Sequence, residues 1–150
     1  MSAPTDLPSL VDPSRRSLGP DLLVGPLAFG CWRFVGTDVA RGQELVETAL
    51  ELGMDLVDTA DIYGRGWGGG GFGESEELLG AVLAAAPSLR DRMVLATKGG
   101  ISEGVPYDSS ARYLRSACEA SLHRPGDPPG LHAGPFGQRP GEGGVQGCFP

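Results

Sequence analysis

Three residues in the middle of the chain have the types and the spacing for proton transfer: Asp58, Tyr63 and Lys98. A free phenol titrates at about pH 10, so a tyrosine that exchanges a proton near neutrality needs a cation beside it to favour the phenolate. Lys98 can be that cation. A lysine taken out of water keeps its own charge only beside a carboxylate, and Asp58 can supply one. Singly, each residue has an ordinary structural use: a strand-end aspartate caps, a loop tyrosine packs, and a strand-end lysine lays its stem along the surface. The chemistry rests on their joint placement.

A second candidate follows at once, in the run GRGWGGGGFGES from Gly64 to Ser75. Gly64, Gly66 and Gly69 satisfy G-x-G-x-x-G, but a dinucleotide turn must close directly between strand and helix. Here Asp58 to Tyr63 intervene, and the acids Asp58 and Asp61 in that gap would repel a pyrophosphate. The P-loop frame aligns Gly68, Gly73 and Ser75 but puts Glu74 where the phosphate-binding lysine belongs, which reverses the sign of the interaction. The glycines therefore read as a surface loop, and the chemistry is expected before them.

The elements that must position these residues alternate. DLLVGPLAFGCWRF (Asp21–Phe34) suits a short hairpin or turn followed by a buried strand ending near Gly30. Leu45, Val46, Ala49, Leu50 and Leu52 recur at helical spacing, with Thr37 or Asp38 as N-cap and Gly53 as the stop. Leu56 to Asp58 form the second strand. Glu74, Glu76 and Glu77 favour the positive end of a second helix that Pro87 closes. Met93 to Thr97 form a third strand, and Tyr113, Leu114, Ala117 and Leu122 lie on a third helix. Such alternation with short links predicts a parallel sheet covered by helices, with right-handed connections. Asp58, Tyr63 and Lys98 then fall at the C-terminal edge of the strands, where parallel sheets carry their sites.

Composition excludes several partners. Twelve Lys plus Arg against nineteen Asp plus Glu give a net charge of -7, unsuited to nucleic acid or an anionic membrane. Cys31, Cys118 and Cys148 lie far apart with no zinc spacing, so neither a metal site nor a disulfide framework is expected, and reduced thiols in the cytoplasm are. Residues 1–15 are polar, proline-bearing and aperiodic, and read as a flexible leader; no apolar run suggests a signal peptide or a membrane span. At Arg124 the composition changes: 8 of the last 27 residues are Gly and 6 are Pro. Residues 124–150 are thus expected to form a disordered tail, of the kind a reading-frame shift or deletion would leave.

PLAFGCWRF, DTADIYG, GFGESEELLG, LATKGG and CEASL, in that order, resemble the aldo-keto reductase family. The likeness runs from Arg16 to Leu122, with residues 16–123 taken as the N-terminal part of the family's (β/α)8 TIM barrel, truncated to about the first three of eight β/α units. The resemblance implies NADP(H)-dependent reduction of small carbonyls, or oxidation of small alcohols, with Tyr63 as general acid, Lys98 tuning it and Asp58 bracing Lys98. It further implies that Gly30, Cys31 and Trp32, together with Asp58, line the nicotinamide side of the pocket. Cys31 departs from the threonine that many members carry there. The family's substrate-orienting histidine lies in a string such as Leu-His-Arg-Pro after a fourth strand. LHRP occurs here at Leu122 to Pro125, but it abuts CEASL with no apolar strand between, so His123 matches in letters and not in place; His132 has less support. Two alternatives to an enzyme remain open: an inactive fragment, or a non-enzymatic binding subunit on the same fold.

Overall fold

The computed structural model describes residues 11–20, 22–66, 68–101 and 107–124. The chain opens with an antiparallel hairpin, β1 (Arg16–Ser17) against β2 (Leu23–Val24), in which Arg16 faces Val24. Then come β3 (Ala28–Gly30), α1 (Val39–Glu51), β4 (Leu56–Asp58), α2 (Glu74–Ala85), β5 (Val94–Ala96) and α3 (Ala111–His123). β3, β4 and β5 form one parallel sheet in that spatial order. The anticipated alternation of strands and helices is present.

Local chemistry explains the boundaries. Asp38 accepts a hydrogen bond from the Arg41 amide and caps α1, which ends before Gly53 at a φ of 80°. Gly73, at a φ of 83°, turns the chain into α2, whose first turn carries Glu74, Glu76 and Glu77 at the positive end of the helix dipole. Ser110 accepts from the Tyr113 amide and starts α3.

The strand register separates two faces. Phe29, Val57 and Leu95 stand side by side and pack with Val46 and Leu50 of α1 and Leu79, Val82 and Leu83 of α2. Each fully buried aliphatic side chain contributes about 1.5–3 kcal/mol, so this seam holds the unit together. Gly30, Asp58 and Ala96 stand side by side on the other face, at the C-terminal ends of their strands. β3 is less buried than the sequence suggests: Ala28 and Gly30 are exposed and Phe29 is half-buried, because only the Phe29 side meets the helices.

The hairpin is tied beneath the sheet. The Gly25 amide donates to Asp55 Oδ1 at 2.6 Å, and Arg15 Nη2 pairs with Asp55 Oδ2 at 2.6 Å. Arg15, the last residue of the expected leader, is thereby anchored. Arg124, grouped with the tail by composition, caps α3 and pairs with Glu76 at 2.5 Å. The remaining tail and residues 1–10 lie outside the described residues. No described helix is long and apolar enough to cross a membrane.

Candidate active site

The ends of β4 and β5 set the site. Asp58 is the last residue of β4, and Lys98 follows β5 by two positions. Lys98 Nζ donates to Asp58 Oδ2 at 2.7 Å and to the Thr59 carbonyl at 3.0 Å. The same ammonium lies 4.5 Å from the centroid of the Tyr63 ring. Both members of the ion pair keep contact with solvent, 51% and 39% exposed, so the pair adds about 1 kcal/mol or less to stability and acts chiefly by placing charge. Burial draws the Lys98 titration downward, but hydrogen bonds and charge from Asp58 and Tyr63 outweigh it and hold the ammonium above the ordinary lysine value.

Tyr63 sits in a turn whose amide donates to the Ala60 carbonyl at 3.0 Å. Its ring stacks on Trp32, with centroids 6.4 Å apart and planes 23° apart. Trp32, Tyr63 and Lys98 share a cleft of about 460 Å³ with Asp61, Arg65, Gly99 and Ile101. The structure therefore brings Asp58, Tyr63, Lys98 and Trp32 together. Gly30 lies beside Asp58 in the register, and a Cβ added to it would meet open space.

Cys31 is not brought to the cleft. It begins a 3-10 turn (Cys31–Arg33), and its side chain is wholly buried in the core beside Phe34. Burial, and then the nearby Asp58 charge, pushes its thiol up to about 12. Its carbonyl accepts from Ser75 Oγ at 2.7 Å. His123 is the last residue of α3 and is exposed, placed on a helix and not at a strand end. His132 lies outside the described residues. The glycine run forms a loop closed on Glu74, whose Oε2 accepts from the Gly70 amide, and Arg65 lies over the Phe72 ring at 5.7 Å.

Four residues of this neighbourhood were not singled out as site residues from sequence. Asp61 is 2% exposed, has an Oδ1 without a hydrogen-bond partner, and has its pKa raised by burial and then by Glu76. Ser75 and Glu76 are buried at the start of α2, and Thr97 Oγ1 donates to Glu76 Oε1 at 2.6 Å. A buried polar side chain leaves no periodic trace in a sequence; for Ser75 and Glu76 the available signal was a polar pair opening an otherwise apolar helix. No cluster of metal-ligating side chains occurs among the described residues.

The parallel β/α units, with an aspartate, a tyrosine and a lysine gathered at their C-terminal edge, fit the first part of a β/α barrel, and the sequence comparison agrees with that class. Residues 26–126 match the profile of the Aldo/keto reductase family, and the chain belongs to that family. It is 51% identical over 123 residues to a 6-dehydroglucose reductase of Novosphingobium aromaticivorans, covering 80% of this chain and 40% of that protein. A 6-dehydroglucose reductase of Agrobacterium fabrum is 33% identical over 120 residues, covering 72% and 38%. Among solved structures, a putative aldo-keto reductase from Pseudomonas aeruginosa superposes with a TM-score of 0.58 at 34% identity, covering 73% of this chain and 40% of that one. An aldo-keto reductase from Bacillus halodurans gives 0.57 at 33% identity, covering 75% and 36%. The chain thus spans about 40% of these proteins, their N-terminal part, and its fold is the corresponding part of a TIM barrel.

Proposed function

We propose that the chain is the N-terminal part of an NADP(H)-dependent oxidoreductase that reduces aldehydes or ketones to alcohols. Tyr63 is the general acid, Lys98 the cation that tunes it, and Asp58 the brace of Lys98. The observation that supports this most strongly is the linked trio itself: a 2.7 Å ion pair whose ammonium stands 4.5 Å from the phenol ring, in a cleft at the C-terminal strand ends.

The residues present suit the ring end of a nicotinamide cofactor. Gly30 leaves open space, Asp58 stands beside it, and Trp32 offers an exposed aromatic surface. When bound, the cofactor supplies hydride to the carbonyl carbon. The Tyr63 hydroxyl donates its proton to the carbonyl oxygen, and the phenolate left behind is stabilised by the Lys98 ammonium. Asp58 favours the charged form of Lys98 throughout. The dehydro-sugar named for two relatives is the first carbonyl to assay. A cytoplasmic setting belongs to the same reading, because Cys31, Cys118 and Cys148 lie far apart in the sequence and suggest no disulfide framework.

The short span of the chain favours a second reading of the isolated polypeptide, in which it carries the proton-transfer group without turnover. Steady-state NADPH oxidation separates the two, measured on this chain and on a barrel completed with the C-terminal part of the Novosphingobium relative. The completed barrel is expected to reduce a dehydro-sugar or a generic aldehyde. A completed barrel whose Tyr63→Phe variant turns over normally would overturn the assignment of the acid.

A further inference from the structure

α2 opens on two buried polar residues that the proposed reaction does not use. Ser75 is 0% and Glu76 3% exposed. A residue serving only to cap the helix would bond amides within its own first turn, yet these side chains reach far across the sequence. Ser75 Oγ donates to the carbonyl of Cys31, the residue before Trp32, at 2.7 Å. The Ser75 amide donates to the carbonyl of Tyr63 itself at 3.1 Å. Glu76 Oε1 accepts from Thr97, the residue before Lys98, at 2.6 Å, and Glu76 Oε2 accepts from Arg124 at the end of α3 at 2.5 Å.

We infer that Ser75 and Glu76 are positioning residues: from one rigid helical turn they tether the three loops that carry Trp32, Tyr63 and Lys98. One tether fixes the backbone on both sides of the Trp32–Tyr63 stack, and the other fixes the approach of the Lys98 stem. Energetics point the same way. A buried carboxylate with its partner adds little net stability compared with an apolar pair of similar volume, whereas its directional bonds specify one geometry. Sites hold productive geometry when side chains on rigid elements lock their supporting loops.

The catalytic meaning of this clamp rests on the reading of Tyr63 and Lys98 given above; the geometry can be tested without it. The full chain carrying Trp67→Phe leaves Trp32 as its one tryptophan. In that background Ser75→Ala is expected to shift Trp32 emission in the same direction as Tyr63→Leu does, while far-UV circular dichroism stays at the parent level. Unchanged Trp32 emission in a folded Ser75→Ala chain would overturn the inference, whatever the activity. Thr97→Val removes only a half-buried hydroxyl, keeps the shape, and addresses the second tether should Ser75→Ala not fold. The Lys98 amine, followed by acetylation and peptide mass spectrometry, is then expected to react faster than in the parent, and an unchanged rate would overturn the inference. Shifts in both probes together with an inactive completed barrel would retain the clamp and reject the catalytic reading, so the two failures are distinguishable.

Discussion

The ammonium of Lys98 lies 4.5 Å from the centroid of the Tyr63 ring. That one relationship couples a phenol on the loop after β4 to a charge on the strand end of β5, and Asp58 completes it at 2.7 Å. In a completed barrel, Tyr63→Phe is expected to lower carbonyl reduction by about 10²- to 10⁴-fold, the usual size of a general-acid contribution. NADPH affinity, read by fluorescence titration, should stay near the parent value, because the change removes a proton donor and not the cofactor's main contacts.

Lys98 carries a folded-state pKa above its ordinary value of 10.5, its charge opposed by burial and favoured by Asp58 and Tyr63. A raised pKa means that its contribution to stability is fully present below 10.5 and is lost as pH climbs through the folded value. Asp58→Asn removes the main partner and should move the Lys98 titration downward, observable by NMR of the lysine side chain. In the completed barrel the same change should shift the pH dependence of reduction in the direction of Lys98→Met, by a smaller amount. A Lys98 titration that does not move in Asp58→Asn would show that the ion pair does not set its charge.

Cys31 and Cys118 should differ sharply toward an alkylating reagent. Only the thiolate is nucleophilic, and Cys31 is both fully buried and held at about 12 by burial and the Asp58 charge. Cys118, half-buried on α3, is expected to label in the native chain, whereas Cys31 labels only after denaturation. Native labelling of Cys31 at the Cys118 rate would mean that the core beside Phe34 opens readily.

Backbone contact sets the cost at Gly25. A Cβ there would overlap the carbonyl of Gly53, while the Gly25 amide is held by Asp55 at 2.6 Å. Gly25→Ala must therefore push the hairpin off the bottom of the sheet, and a loss of about 1–3 kcal/mol in urea denaturation is expected, as for overpacking elsewhere. Asp55→Ala should weaken the same docking by removing the acceptor of both Gly25 and Arg15. A Gly25→Ala chain as stable as the parent would place the hairpin outside the folded unit.

Which of these features the sequence discloses follows from how far apart the interacting residues lie. Asp38, Gly53, the glutamates of α2 and the apolar strand cores act within a few residues, so their spacing carries the information. Asp58, Tyr63 and Lys98 were expected to meet because the C-terminal ends of parallel strands lie side by side, and they do adjoin in the fold, through the 2.7 Å ion pair and the 4.5 Å approach of the ammonium to the ring. The clamp was not readable, since Ser75 and Glu76 reach partners 44, 21 and 48 positions away. Cys31 shows the converse case, a side chain whose direction the sequence does not disclose. Its neighbour Trp32 points to the cleft, but in a 3-10 turn successive side chains rotate by about a third of a turn, which sends the thiol inward. β3 looked buried because its residues are apolar, whereas its exposure is decided by which face the helices cover.

Asp61 offers the last test, because it combines deep burial with a carboxyl oxygen that has no partner. Its surroundings include Glu76 on α2, Tyr113 on α3, Arg124 at the cap of α3, and Lys98 after β5. Arg124 is already engaged by Glu76, and Glu76 itself repels a second negative charge, so burial and that repulsion together raise the Asp61 pKa above 3.8. The folded chain consequently binds this proton more tightly than the unfolded chain does. Stability from this group is complete below 3.8 and declines as pH rises through the folded value, leaving a penalty at neutrality. Asp61→Asn keeps the shape, carries no charge and should remove that penalty. Thermal melts of the full chain are therefore expected to show Asp61→Asn more stable than the parent at neutral pH, with the difference shrinking as pH falls toward 3.8. A variant less stable than the parent at neutral pH would show instead that the ionised carboxylate is held by the Arg124 and Lys98 charges, and that Asp61 belongs with them as a working part of the site.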